Sequence, residues 1–204
     1  MVDPIHAKFA VALGVDAIGV IFAPSARRVS LETARAIAMV VPPVVTLVAV
    51  MVDPSEEEIR VVRSVLPQAV FQFCGKESPA LCRSAGGAYL KLFPVSSDDT
   101  MGAYDIASEW DEALPLFDTR SPLGGGSGQT FEWNRVATLA SRRPIVVAGG
   151  LSAENVAECI HRIRPFAVDV RSGIETDERK DFRKMEAFVE TVRKADATTH
   201  HAEE

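Results

Sequence analysis

The sequence predicts an α/β fold of parallel strands, a (β/α)8 barrel (TIM barrel) whose first strand is missing from the chain. Three observations carry this. Short apolar runs recur along the 204 residues, and each of seven is followed by a stretch with helical spacing. The runs are continuously apolar rather than alternating, the pattern of parallel strands covered on both faces. A lone helical stretch comes before the first of them, so seven strand–helix pairs follow one unpaired helix. A doubly wound open sheet is the alternative. That fold calls for a glycine-rich phosphate turn after its first strand, and Phe22-Ala-Pro-Ser-Ala26 has no glycine.

The elements follow in order. Ile5 to Leu13 is helical, and Asp16 to Phe22 is a buried strand. Ser30 caps a helix whose Leu31, Ala34, Ile37, Ala38 and Val41 share a face. Val44 to Val50 is rich in β-branched residues and reads as a strand. Ser55 and Glu58 have the spacing of a capping box, with Ile59, Val62 and Leu66 on one face behind them. Ala69 to Phe73 is the next strand and Ser78 to Ser84 a short helix; Ala88 to Phe93 is a strand, and Asp98 to Ser108 a weaker helix. Leu114 to Asp118 is a strand that ends on a carboxylate, and a helix is expected from Glu132 to Ser141. Pro144 to Ala148 forms a strand ending in Gly149-Gly150, and Ser152 is expected to cap a helix bearing Val156, Cys159, Ile160 and Ile163. Phe166 to Val170 is the last strand. The final helix carries Phe182, Met185, Phe188, Val189 and Val192 on its apolar face, and a polar tail is expected from Ala195. The chain reads as one domain over residues 1–194.

Composition narrows the function. The net charge of −6 argues against a nucleic-acid surface while leaving room for a local basic pocket. Cys74, Cys82 and Cys159 form neither a C-x-x-C pair nor an even framework, which points to a reducing compartment and no structural metal. The apolar run from Phe9 to Ala23 contains Asp16, Gly14 and Gly19, which argues against an export signal. No run reaches the roughly 18 apolar residues of a membrane span. A cytoplasmic protein with neither nucleic-acid nor membrane partner is expected.

In such a fold the ligand groups come from the C-terminal ends of the strands. Those ends supply Arg27 and Arg28, then Gln72 and Cys74, then Asp118 with the loop holding Gly124, Gly125, Gly126, Ser127 and Gly128. The last two strands end in Gly149-Gly150 and in Asp169-Val-Arg-Ser-Gly173. Two glycine-bearing turns after the final strands suit a phosphate held by backbone N–H groups, or are plain tight turns. Arg27 and Arg28 suit a second anion, or are two solvated loop residues. Asp118 is a general acid or a partner for the arginines; Asp169 contacts sugar hydroxyls or caps a turn. Cys82 and Cys159 fit the core, and Cys74 at a strand end is either core or reactive. Lys91, within a strand, is a paired barrel-interior charge or an outward stem, not a Schiff-base lysine. The four histidines show no ligand spacing.

Several of these stretches resemble one family. Q-F-C-G at Gln72 to Gly75, L-F-D-T at Leu116 to Thr119 and G-G-S-G-Q-T-F-E-W at Gly125 to Trp133 are similar to phosphoribosylanthranilate isomerase. So are A-G-G-L-S-A-E-N-V at Ala148 to Val156, R-P-F-A-V-D-V-R-S-G-I-E at Arg164 to Glu175, and the first strand with its A-P-S extension. The resemblance implies a single-domain barrel of tryptophan biosynthesis that works without a cofactor, as a monomer or homodimer. Its reaction is the Amadori rearrangement of N-(5-phosphoribosyl)anthranilate to 1-(o-carboxyphenylamino)-1-deoxyribulose 5-phosphate. Carried over, Asp118 is the general acid and Arg27 the clamp on the anthranilate carboxylate. Gly126, Ser127, Gly149, Gly150, Ser172 and Gly173 line the phosphorylated substrate, as does Gln72, and Asp169 meets the ribose hydroxyls.

The chain departs from the family in places. The family opens with a strand of the type K-I-C-G-L-T, whose cysteine is the general base, whereas this chain starts at Met1-Val-Asp-Pro4, where that motif ends. The arginine loop is one residue shorter, so Arg27 or Arg28 is the clamp. Cys74 stands where the family usually has histidine, and Arg171 where it has a small residue. The expectation is an isomerase impaired in this form, with a start codon assigned too late favoured over a true truncation. The alternative is a non-catalytic phosphate-binding barrel that dimerises through its open edge. A related isomerase of histidine synthesis should show two similar halves, and the sequence has none.

Overall fold

The computed structural model describes residues 1–95, 110–119 and 134–200. The helix expected from Asp98 to Ser108 and the glycine loop, with Gly126 and Ser127, lie outside the described residues. The chain divides into two compact units, Met1–Leu92 and Phe93–Glu204. It is an α/β protein with seven parallel strands among the described residues.

The first unit opens with helix α1 (Pro4–Leu13), capped by Asp3, whose carboxylate accepts the His6 N–H, and closed by Gly14 in the left-handed region. Strand β1 (Ala17–Ile21), helix α2 (Leu31–Ala38), strand β2 (Thr46–Met51) and helix α3 (Glu56–Val65) follow. Strand β3 (Val70–Phe73) and helix α4 (Pro79–Ser84) lead to strand β4 (Tyr89–Val95), which runs on into the second unit. The pairs β1–β2, β2–β3 and β3–β4 are parallel. Local signals account for the helix starts: Ser30 and Ser78 cap α2 and α4, and Ser55 with Glu58 forms the full capping box at α3. The two residues hold each other's backbone N–H, and these bonds keep the Glu58 carboxyl below the usual range, helped by Arg28.

Ile18, Val20, Ala49, Phe71 and Phe73 from the strands are buried, as are Ile37, Ile59, Val62 and Cys82 from the helices. Phe71 stacks on Phe73, and Tyr89 meets Phe73 edge-on. On the side of β1 away from β2, the Met1 amino group bonds the Gly19 carbonyl and Val29 N–H bonds that of Ile21 at 2.9 Å.

In the second unit, strands β5 (Ala113–Thr119), β6 (Val146–Val147) and β7 (Ala167–Val168) are parallel neighbours in that order. Helices α5 (Asn134–Ala140) and α6 (Val156–Ile163) separate them. After β7 come one 3-10 turn (Ser172–Ile174), the antiparallel hairpin β8 (Glu175–Thr176) and β9 (Arg179–Lys180), and helix α7 (Phe182–His200). The expected face of α6 is buried in full: Val156, Cys159, Ile160 and Ile163. On α7, Met185 and Phe188 are buried, but Phe182, expected on the same face, is 42% exposed because it sits at the first residue of the helix. The helix continues past Ala195, itself buried, to His200. Ser152 does not cap α6. The helix starts at Val156 because residues 152–155 are drawn into a turn that serves the end of β6.

Candidate active site

In the second unit, register brings the strand ends level. Leu116 and Phe117 pair with Val146 and Val147, and these with Ala167 and Val168. One step further, Ala148 N–H donates to Phe117 O at 2.8 Å and Asp169 N–H to Val147 O at 2.9 Å. Asp118, Ala148 and Asp169 therefore form one row at the C-terminal rim of this sheet, although 51 positions separate the two acids in sequence. Asp118 is half-buried.

The two glycine turns lie just beyond that row. Gly149 and Gly150 have φ of 88° and 65°, left-handed values that favour glycine. Asn155 ties this turn from below: its Nδ2 donates to Gly150 O at 2.9 Å, and its Oδ1 accepts Ser152 N–H at 2.9 Å. Gly173 packs directly on the same turn. A Cβ there would stand 1.9 Å from Leu151 O, so main chain touches main chain and only glycine fits. A cavity of about 390 Å³ beside the turns is lined by Ser152, Ser172, Gly173, Arg183 and Lys184 among others.

Asp169 is exposed by surface area, yet the protein atoms crowded around its carboxyl raise its pKa, while Lys180 and Arg171 pull it back down. Lys180 pairs with the buried Glu175 at 3.0 Å and donates to Arg171 O at 2.9 Å.

In the first unit the strand ends present Arg27, Gln72 and Cys74. Arg27 is half-buried, with its N–H on Ser25 Oγ at 3.1 Å. Arg28 is exposed, bridges to Ile21 through its backbone, and lines a separate cavity of about 450 Å³ with Glu57 and Glu58. Gln72 is 9% exposed and its Nε2 donates to Cys74 Sγ at 3.4 Å.

Beside them is a clasp that sequence reasoning left half-open. Glu77 accepts the Asp53 N–H and the Gly75 N–H, both at 2.9 Å, and Asp53 returns a bond from Lys76 N–H at 2.6 Å. Lys91 Nζ completes it, 2.6 Å from both Glu77 and Gly75 O. Lys91 is buried and paired with Glu77, on the face of the sheet it shares with Phe73 rather than the one that carries Gln72. Glu77 itself carried no sequence signal, being one acid in a polar stretch; neither did Asn155, whose value lies in contacts made three and five residues back.

Cys82 and Cys159 are fully buried, as the sequence predicts, and burial pushes their thiols up to about 11 and about 12. His6 pairs with Asp3, and His161 meets Thr198 at 3.1 Å. Among the described residues no group of three His, Cys, Asp or Glu could hold a metal ion, and no helix is long and apolar enough to cross a membrane.

Carboxylates and glycine turns gathered at the ends of parallel strands define a protein of the α/β class. Within that class, residues 4–191 match the family of N-(5'phosphoribosyl)anthranilate (PRA) isomerase, and the chain belongs to this family. An N-(5'-phosphoribosyl)anthranilate isomerase of Xanthomonas euvesicatoria is 44% identical over 193 residues, covering 90% of this chain and 86% of the relative. The structure is similar to that of phosphoribosyl anthranilate isomerase from Thermotoga maritima, with a TM-score of 0.85 at 36% identity over 95% of this chain and 96% of that one. A second isomerase structure, in complex with reduced 1-(o-carboxyphenylamino)-1-deoxyribulose 5-phosphate, gives 0.79 at 33% identity over 95% of each chain.

Proposed function

We propose that this protein rearranges N-(5-phosphoribosyl)anthranilate to 1-(o-carboxyphenylamino)-1-deoxyribulose 5-phosphate, a step of tryptophan biosynthesis, without a cofactor and in the cytoplasm. Its seven parallel strands are read as strands two to eight of an eightfold barrel. The observation that carries the reading is the row of Asp118, Ala148 and Asp169, with two touching glycine turns just beyond it. An acid placed beside an anion site is what ring opening of a phosphorylated sugar needs.

Asp118 acts as general acid: it protonates the ribose ring oxygen as the C1′–O bond breaks and the ring opens. A base then takes the C2′ proton, and no residue of this chain is assigned that part. N–H groups around Gly149, Gly150, Ser172 and Gly173 hold the phosphate, and Gly126 and Ser127 are assigned to substrate binding as well. Asp169 accepts from the ribose hydroxyls. The carboxylate clamp goes to Arg27 rather than Arg28, because Arg28 lies toward Glu58. Gln72 forms part of the wall around the anthranilate ring.

Fluorescence-monitored turnover tests this, with binding of the reduced product analogue measured alongside. Asp118→Asn should lower turnover by about 10²–10⁴-fold, the usual worth of a positioned proton donor, and still bind the analogue. An unchanged rate in that variant refutes the acid assignment. Tight binding of the analogue without turnover, both by this chain and by one extended upstream through a K-I-C-G-like strand, moves the reading to a non-catalytic phosphate-binding barrel.

A further inference from the structure

Two buried lysines share one geometry. Lys91 Nζ pairs with Glu77 and also donates to the Gly75 carbonyl. Lys180 Nζ pairs with Glu175, the two side chains 8% and 5% exposed, and also donates to the Arg171 carbonyl. In both places a neutralised ammonium grips the main chain at a turn after a parallel strand.

A buried ion pair is a poor source of stability, since an apolar pair of similar volume avoids the cost of desolvation. What it supplies here is direction. The Arg171 carbonyl and the Ser172 N–H belong to one planar trans peptide and point to opposite sides. An oxygen held by Lys180 therefore settles where the Ser172 N–H is aimed. The next residue, Gly173, is wedged against Leu151 O, so the peptide is held on both sides. The hairpin that carries Lys180 is itself fixed: Lys184 Nζ donates to Glu175 O at 2.7 Å, and Thr176 Oγ1 to Asp181 at 2.9 Å.

We infer that Lys180 is a positioning residue of the phosphate site, orienting the Ser172 N–H toward the bound phosphate through the Arg171 carbonyl. This rests on the phosphate reading given above. Glu175 holds the ammonium in place, so the hairpin from β8 to β9 serves the ligand turn without touching the ligand.

Inorganic phosphate titrated into the whole chain by calorimetry, with a thermal melt of each protein, provides the test. Lys180→Met/Glu175→Gln removes both charges of the pair together. It should melt cooperatively and bind phosphate about tenfold more weakly or worse, the scale of one lost charge-assisted hydrogen bond. Lys180→Arg keeps a cationic donor and should recover most of the affinity. A double variant that melts cooperatively and binds phosphate like the wild type overturns the inference and leaves the phosphate reading standing. Failure of the wild type to bind phosphate overturns both. Where the double variant does not fold, Lys180→Arg decides: it keeps a cation for Glu175 and a donor for the Arg171 carbonyl and should stay within about threefold of wild-type affinity, and a tenfold loss there overturns the inference.

Discussion

Replacing Gly173 by alanine adds one methyl group where the two turns of the second unit touch. The added Cβ would lie 1.9 Å from Leu151 O and 2.9 Å from both Leu151 C and Ser152 Cα. All three atoms are main chain, so no side-chain rotation relieves the clash and a turn has to move by about 1 Å or more. Overfilling a packed site costs about 1–3 kcal/mol, and a backbone obstacle places this case at the upper end, about 3 kcal/mol. For a domain of this size each kcal/mol lowers Tm by roughly 2–4 °C, so the variant should melt about 6–12 °C below the wild type. Gly19→Ala is the control, because its Cβ would meet Val50 Cγ2 at 3.7 Å, an ordinary contact. Its cost on packing grounds should stay within about 0.5 kcal/mol. Circular dichroism melts of the three proteins, with urea titrations at 25 °C, make the comparison. A Gly173→Ala protein melting within about 2 °C of the wild type would show that the turns are not in contact. The convergence on which the phosphate reading depends would go with them.

Two further outcomes follow from buried groups. Lys91→Met strands the Glu77 carboxylate, 0% exposed in its side chain, and should cost about 3–5 kcal/mol in urea unfolding, whereas Lys91→Met/Glu77→Gln should cost less than the single change; equal stability of wild type and Lys91→Met would show that the pair carries no buried charge. At pH 8 iodoacetamide should label Cys74 alone in the native protein, because Cys82 and Cys159 are fully buried and burial pushes their thiols up to about 11 and about 12; an adduct on Cys82 or Cys159 at pH 8, read by mass spectrometry, contradicts the assignment.

Where the sequence is a reliable guide, the governing interactions are local. The capping box at Ser55 and Glu58 was legible because its two bonds span three residues and depend only on residue type. The buried face of α6 was legible because helical period alone lines up Val156, Cys159, Ile160 and Ile163. Ser152 misled for the same reason. It has the residue type of a cap, but Asn155 bonds back to Gly150 O and to Ser152 N–H, and the helix waits until Val156. The hairpin at 175–180 gave no glycine to mark it: its turn places Asp177 and Glu178 at φ of 49° and 60°, values that glycine or asparagine would usually announce.

By itself the sequence determined the order of the seven parallel strands, the acids and glycines at the strand ends, and the family to which they belong. Apolar runs, helical periods and motif spacings are properties of neighbouring residues, and they survive being read as a string. Only the tertiary structure decided that Asp118 and Asp169 stand in one row, that Gly173 rests on Leu151, and that Lys91 finds Glu77 and Lys180 finds Glu175. Ladder register, close main-chain contact and the pairing of buried charges are set by atoms that meet only after folding, and residue type does not tell a lysine which carboxylate it will be buried against.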